Sequence, residues 1–193
     1  MALKDDVRPV PRGPTSGVSL RVVLGTEDLF RAHARFVADF LARLGVPPRD
    51  VDDLVQEVFL VVHRKGGFVE EEARPTTYLA AIAVRIASTA RRTHARRRLA
   101  NEPTAIDAMA SRDPSPHDSA DTSESLERVG KALDALDLEK RAVFVLFEIN
   151  GEPCEEIARA LDVPLGTVHS RLHAARAAFK KAHTRLANER GLR

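Results

Sequence analysis

The residues best suited to chemistry in this 193-residue chain are polar and basic side chains at helical spacing near the C-terminus. A short predicted helix, a turn of about four residues and a longer helix beginning near Pro164 form the pattern of a helix-turn-helix. Val168, Leu172, Ala175 and Phe179 fall on one stripe of the longer helix and are predicted to face the core. The remaining small, polar and basic surface suits entry into the major groove of DNA. Its predicted DNA-contacting residues are Thr167, His169, Ser170, Arg171, His173 and Arg176.

A second basic surface is predicted in the middle of the chain, where six arginines and no acidic residue lie from Arg85 to Arg98. The apolar residues of a helix from about Thr77 to Arg97 place an arginine-rich arc on its outer side. Guanidinium groups bind phosphates and an aromatic ring stacks on an unpaired base, so this arc suits single-stranded or distorted DNA. A solvated basic face is the alternative. The arc contains Tyr78, Ala81, Arg85, Ser88, Thr89, Arg92 and Arg96.

A third surface is predicted on the helix that precedes the arginine-rich one, from about Asp50 to Arg64. Its inward stripe contains Val51, Leu54, Val55, Val58 and Val62. An exposed leucine within a polar rim is typical of a protein-docking surface. Since single exposed leucines are common, an ordinary solvated face is the alternative. The opposite arc contains Asp53, Gln56, Glu57 and Leu60.

Other chemistries receive little support from the sequence. His169 and His173 have a spacing that can bind zinc, but no third ligand accompanies them, so no metal site is expected. The single cysteine, Cys154, excludes an intramolecular disulfide and is interpreted as a small buried residue. No acid/base pair, nucleophile or cofactor motif appears, so neither catalytic residues nor a cofactor is expected.

Helices are required to position these surfaces, and the sequence predicts an all-α chain. Apolar residues recur at spacings of three and four in two regions, at 25–98 and 125–185, which we interpret as two small helical domains. Between them, residues 99–124 form a flexible acidic linker, with seven acidic residues against one arginine from residue 100 to residue 127. Residues 1–24 are predicted to be a disordered tail and 186–193 a basic tail. The second domain ends in the helix-turn-helix.

The distribution of apolar residues also bears on the compartment. The longest apolar run, Tyr78 to Val84, is seven residues, whereas a helix needs about 20 to span a bilayer. No apolar segment of a secretory signal is visible near the N-terminus. The sequence therefore predicts a cytoplasmic protein without membrane insertion.

Two longer motifs resemble one protein family. The run from Asp52 to Leu60, DDLVQEVFL, is similar to the EDLVQEVFL signature of the sigma-70 family, extracytoplasmic-function group. The run from Pro164 to Arg176, PLGTVHSRLHAAR, resembles that group's P-x-G-T-V-K-S-R-L-x-R-A-R motif. The motifs occur in the expected order, and the similarity covers roughly residues 25–98 and 125–185.

The resemblance implies a role for each surface. Asp53, Gln56, Glu57 and Leu60 would dock on core RNA polymerase. The third helix and the loop before it would read and open the −10 element of promoter DNA, and the helix-turn-helix would read the −35 element as duplex. The family also implies an inhibitory anti-sigma partner.

The chain departs from the family pattern at several positions. Tyr78, Arg85 and Thr89 stand where the family usually has Trp, Asn and Asp, positions that bear on −10 specificity. His169 replaces a customary lysine, and Pro153-Cys154 replaces a common Ser-Tyr pair.

Two other functions compete with a sigma factor. A plain helix-turn-helix regulator would bind duplex operators without polymerase, but it leaves the arc around Leu60 unexplained. A degenerate paralogue would bind polymerase or another partner without opening promoters, and the departures at Arg85 and Thr89 favour it. An enzyme is a remote third alternative.

Overall fold

The computed structural model describes residues 23–69, 74–100 and 120–191, and within these ranges nearly every regular element is a helix. The all-α prediction is therefore confirmed. A short π-helical turn, Val145–Ile149, continues α5, and two very short strands accompany the helices. The helices are α1 (Thr26–Arg43), α2 (Pro48–Arg64), α3 (Pro75–Ala100), α4 (Ala120–Leu133), α5 (Leu138–Phe144), α6 (Cys154–Leu161) and α7 (Leu165–Gly191), and the strands are β1 (Val23–Leu24) and β2 (Phe68–Val69).

Glycine and proline set the limits of the first two helices. After α1 the chain turns at Gly45, whose φ of 84° lies in the left-handed region that favours glycine. Pro48 begins α2, where its missing N–H removes no intrahelical hydrogen bond. Gly66, with a φ of 82°, follows the end of α2. These turns let α1 and α2 pack side by side.

Helices α1, α2 and α3 form the first helical unit, because their apolar stripes converge on a common core. Burying one such side chain contributes about 1.5–3 kcal/mol before entropy is subtracted. The most deeply buried residues of this unit include Val37, Phe40, Leu41, Leu44, Val58, Val62 and Leu79.

The two strands join the start of this unit to the segment after α2. Leu24 pairs antiparallel with Phe68, and Val23 pairs with Val69. Phe68 is buried in the core, which holds the pair against the helices. Strand β1 therefore lies inside the segment predicted as a tail, and residues 1–22 of that tail lie outside the described residues.

Helices α4 to α7 form the second helical unit, in which α7 contacts α4, α5 and α6. Asp137 caps α5 by accepting a hydrogen bond from the Lys140 N–H at 2.9 Å, which satisfies one of the free amides of the first turn. Phe179 of α7 stacks on Phe144, with ring centroids 4.8 Å apart. These contacts fix α7 across the unit.

The ends of the second unit differ from the predicted limits. Helix α4 begins at Ala120, inside the segment predicted as linker, and α7 continues to Gly191, through most of the predicted basic tail. Residues 101–119 of the predicted linker lie outside the described residues.

The two units pack against each other, since α3 contacts both α5 and α6. Arg141 and Glu152 of the second unit are only 5% and 3% exposed at this junction. No signal in the sequence predicted this contact.

Candidate nucleic-acid and polymerase interfaces

The outer face of α2 has the character predicted for it. Leu54, Val58 and Val62 are buried, and this fixes the rotation of the helix about its axis. Leu60 is 52% exposed on the opposite side. An apolar side chain therefore stands on the surface inside a polar rim, and the exposed members of that rim are Asp53, Gln56 and Glu57.

An exposed aromatic residue that sequence analysis missed packs against α2. Phe30 of α1 is 46% exposed. Its ring meets the Phe59 ring edge to face, with centroids 5.0 Å apart. Phe30 is therefore a second exposed apolar side chain of the first unit, and it packs on α2 through Phe59. The available signal was that Phe30 lies off the inward stripe of α1.

The outer face of α3 carries its arginines in solvent. Arg85, Thr89 and Arg92 are exposed, and Ser88 is half-buried between them. The Arg92 guanidinium donates to the Ser88 hydroxyl at 3.0 Å. The Thr89 hydroxyl donates to the Arg85 carbonyl at 3.1 Å. The guanidinium of Arg92 is thus oriented along the helix, and the side chain of Arg96 lies outside the described residues.

One member of the predicted α3 arc is misplaced. Ala81 is buried. Helix α3 packs on α1 and α2 on one side and on α5 and α6 on another, so the assumption of a single inward stripe is wrong for its first half.

Tyr78 is half-buried at the start of α3 and has partners inside its own unit. Its hydroxyl donates to the Gly67 carbonyl at 3.3 Å. Its ring packs against the Phe68 ring, with centroids 5.2 Å apart. Burial raises the pKa of the Tyr78 hydroxyl, which favours the protonated donor. These contacts give Tyr78 a packing role in the structure.

Helices α6 and α7 have the arrangement of a helix-turn-helix. Asp162 ends α6 in the left-handed conformation, with a φ of 56°, and the Val163 N–H bonds back to the Ala158 carbonyl at 3.0 Å. The Pro164 carbonyl then accepts hydrogen bonds from the first turn of α7, including the Thr167 N–H at 2.8 Å. The turn is short and closed by hydrogen bonds, so it fixes α7 relative to α6.

The inward stripe of α7 is confirmed, and it leaves a polar outer face. Val168, Leu172 and Ala175 are buried in the second unit. The outer surface is mostly small and hydrogen-bonding, which suits approach to a groove, and one bulky apolar side chain, Leu165, is 37% exposed at the N-terminal end of α7. Its exposed polar residues are His169, Ser170 and His173, with Thr167 half-buried at the edge.

Arg171 and Arg176, the two arginines predicted to contact DNA from α7, both have acidic partners within the second unit. Arg171 pairs with Glu139 of α5. Arg176 donates to Glu148 at 2.6 Å, and its guanidinium lies 5.1 Å from the centroid of the Phe147 ring. The arginines therefore flank the outer face of α7 and connect the helix to its own unit.

Comparison with known proteins identifies the family. Residues 29–97 match the family model described as Sigma-70 region 2, and residues 126–179 match Sigma-70, region 4. The chain is 34% identical over 153 residues to the ECF RNA polymerase sigma factor SigE of Mycolicibacterium smegmatis, covering 78% of this chain and 58% of that protein. It is 33% identical over 150 residues to the ECF RNA polymerase sigma-E factor of Escherichia coli, covering 74% of this chain and 78% of that protein. The chain belongs to the extracytoplasmic-function RNA polymerase sigma factors. The resemblance seen in the two sequence motifs is thereby confirmed.

Solved structures give the same fold for this sigma factor. The sigma factor RpoE of Bartonella quintana, crystallised with the anti-sigma factor NepR, aligns with a TM-score of 0.67 at 21% identity, over 81% of this chain and 94% of that one. CnrH, in complex with the cytosolic domain of CnrY, aligns with a TM-score of 0.54 at 23% identity, over 81% of this chain and 85% of that one. The prediction of two helical domains is confirmed.

Other features of this sigma factor limit its chemistry. Burial raises the pKa of the Cys154 thiol, which disfavours a reactive thiolate at that position. Among the described residues, no helix combines the length and the apolar character that crossing a membrane requires.

Proposed function

We propose that this sigma factor binds core RNA polymerase, recognises the −35 and −10 promoter elements and helps to open the promoter for transcription initiation. The observation that carries the proposal is the exposed Leu60 within its polar rim on α2. A regulator that binds duplex operators alone has no use for such a face, whereas a polymerase subunit requires a docking surface. Asp53, Gln56 and Glu57 form the rim that accompanies Leu60.

The outer face of α3 is proposed to act on the −10 element. Its exposed guanidinium groups suit the phosphates of an opened strand, because they carry the opposite charge. This attraction contributes to binding whatever the base sequence. Tyr78 already packs against Phe68 and bonds to the Gly67 carbonyl, so we assign it a smaller share than the arginines. The residues proposed for this surface are Tyr78, Arg85, Ser88, Thr89, Arg92 and Arg96.

The outer face of α7 is proposed to read the −35 duplex. Thr167, His169, Ser170 and His173 can donate or accept hydrogen bonds at base edges in the major groove. Arg171 and Arg176 would reach phosphates by exchanging their carboxylate partners for the DNA backbone, a substitution of one anion for another.

The two units are proposed to be separate functional domains, with limits near residues 25–98 and 125–185. The match of one family model to each supports this division. We further propose that the protein acts in the cytoplasm, has no catalytic residues of its own, and is held inactive by an anti-sigma protein. The similarity in fold to the sigma factor RpoE of Bartonella quintana, solved in complex with the anti-sigma factor NepR, supports the last point.

A reconstituted transcription assay tests the proposal. Core RNA polymerase, the full-length chain and promoters mapped after overexpression are combined, and transcript start sites are measured. The proposal expects initiation only when the chain is present. Binding to polymerase without initiation would favour the degenerate paralogue, and binding to duplex DNA without polymerase association would favour the plain regulator.

A further inference from the structure

Helix α7 has no carboxylate of its own near the face proposed to read DNA. From Leu165 to Asn188 it contains five lysines and arginines and no acidic residue. Two of its arginines nevertheless meet a carboxylate that another element supplies. Arg171 pairs with Glu139 of α5, and Arg176 pairs with Glu148 of the π-helical turn. The negative charges beside α7 therefore come from two separate parts of the second unit.

The two ion pairs lie on opposite flanks of the outer face of α7. Successive residues of a helix advance by about 100°, which places Ser170 between Arg171 and Arg176 on the outer side. The buried Val168 and Leu172 lie between the same two arginines on the inner side. A helix in the major groove has a phosphate backbone along each side. Each arginine, with its carboxylate, therefore lies where one of these backbones would pass.

Pairing cancels much of the charge that these flanks present to a distant polyanion. A guanidinium and a carboxylate in contact have no net charge together, so their attraction and repulsion of a phosphate nearly balance. The side chain of Glu139 is 67% exposed and that of Glu148 is 33% exposed, so approaching phosphates meet both carboxylates. Since non-specific binding of DNA depends on charge attraction, the two carboxylates should weaken it.

A correctly docked helix changes this balance. Hydrogen bonds at base edges hold the helix deep in the groove, and this brings phosphates within contact distance of both flanks. Arg171 and Arg176 then exchange one anion for another, because surface ion pairs are weak enough to be replaced. A helix on an unrelated sequence lacks the base contacts, so its arginines remain with Glu139 and Glu148.

We propose that Glu139 and Glu148 increase the selectivity of −35 recognition by keeping Arg171 and Arg176 from the phosphates of unrelated DNA. The inference rests on the proposed role of α7 at the −35 element. Both glutamates are positioning residues, since they act through the arginines and contact no base. Their negative charge, rather than their packing, produces the effect.

The test measures the affinity of the full-length protein for two duplexes of equal length by fluorescence anisotropy. One duplex carries the −35 element of a mapped promoter, and the other has a scrambled sequence. Glu139→Gln combined with Glu148→Gln keeps the side-chain shapes and removes both charges. We expect affinity for the scrambled duplex to rise about tenfold at low salt and affinity for the −35 duplex to rise at most about threefold. The salt dependence for the scrambled duplex should steepen by about 0.9 for each arginine that gains a phosphate.

Two controls distinguish these pairs from a general gain of positive charge. Glu127→Gln breaks an exposed pair with Lys131 on α4 and should leave the ratio of the two affinities unchanged. In a protein that already carries Arg171→Gln, Glu139→Gln has no arginine to release and should have little further effect. A purely structural role of the glutamates would raise neither the affinity nor the salt dependence. Thermal melts followed by circular dichroism confirm that each variant is folded.

Several outcomes would overturn the inference. Unchanged affinity of the double variant for the scrambled duplex would show that the carboxylates do not restrain the arginines. An equal rise for both duplexes would show that they do not affect selectivity, and a fall for both would show that they orient the arginines toward DNA. If the wild-type protein does not distinguish the two duplexes, the assignment of α7 to the −35 element fails as well. Discrimination that is the same with and without the two charges removes only the role of Glu139 and Glu148.

Discussion

The guanidinium of Arg176 lies over the ring of Phe147, 5.1 Å from its centroid, and joins α7 to the π-helical turn behind it. Glu148 holds the same guanidinium from the side, with 2.6 Å between the Nε of Arg176 and a carboxylate oxygen. Arg176 therefore stabilises the position of the helix that presents His169, Ser170 and His173.

Removing the Arg176 side chain should lower the stability of the second unit. We expect Arg176→Ala to lower the free energy of unfolding by about 1 kcal/mol, the sum of an exposed cation–π contact and a surface ion pair. Urea denaturation measures the change, and Lys180→Ala, an exposed position on the same helix, serves as the control. Unaltered stability combined with weaker binding to a −35 duplex would instead assign Arg176 to the DNA.

Changing the centre of the α2 face should weaken polymerase binding. We expect Leu60→Glu to raise the Kd for core RNA polymerase about thirtyfold, equivalent to roughly 2 kcal/mol for a central apolar residue of an interface. Gln56→Ala should have a smaller effect in the same direction, because it lies on the rim. Binding titrations provide the measurement, and circular dichroism checks that the helical content is unchanged.

The control for this surface adds the same charge elsewhere. Thr184→Glu introduces one carboxylate at an exposed position of α7 and should leave the Kd for polymerase at the wild-type value. Equal affinities for wild type and Leu60→Glu would show that polymerase docks on another part of the chain.

Two variants of Tyr78 distinguish a packing role of its ring from a role in stacking on a DNA base. We expect Tyr78→Ala to lower the free energy of unfolding by about 2 kcal/mol. Removing a half-buried aromatic ring should cost roughly half the stability that removing a fully buried one costs. Tyr78→Phe keeps the ring beside Phe68 and loses only the bond to Gly67, so its promoter opening should remain close to wild type. Thermal denaturation and permanganate reactivity of −10 thymines measure the two effects. Normal stability with failed opening in Tyr78→Ala would favour stacking on a base.

The Asp137 cap of α5 should make the free energy of unfolding depend on pH. Hydrogen bonds from Lys140 lower the pKa of Asp137 from its ordinary value of 3.8, so the charged form is favoured in the folded protein. The resulting stabilisation is fully present above that ordinary value and is lost as the pH falls through the lower folded pKa. Asp137→Ala should cost about 1 kcal/mol at neutral pH.

A neutral isostere tests the charge of this cap. Asp137→Asn keeps an acceptor for the Lys140 N–H, so its deficit relative to wild type should shrink as the solution is acidified below pH 3.8. Urea denaturation at a series of pH values gives the difference. A deficit that is independent of pH would show that the carboxylate charge does not contribute.

The face of α2 was predictable from sequence, whereas the environment of α3 and the partners of the α7 arginines were not. In α2 the buried Leu54, Val58 and Val62 repeat at spacings of four, so a single core direction fixes where Leu60 points. Helix α3 is packed from two sides. Its second buried face includes the small residue Ala81, and the helical spacing of the large apolar residues does not predict that this face is buried.

Ion pairs between residues far apart in the sequence were the other feature that the sequence did not predict. Arg171 and Glu139 are 32 residues apart, and Arg176 and Glu148 are 28 apart, so a helical projection contains no information about either pair. The contacts of Glu152 and Arg141 with the first unit have the same origin. Helical periodicity locates a face, but it does not identify the groups that neutralise the charges on it.

The separation along the chain between the two ends of the junction has a consequence during translation. Thr76 precedes Glu152 by 76 residues, so the first unit leaves the ribosome while the second is still being synthesised. At about 5–20 residues per second, roughly 4 to 15 s pass before Glu152 is added to the nascent chain. During that time the contact between Thr76 and Glu152 cannot form, so the first unit must reach its own fold without it.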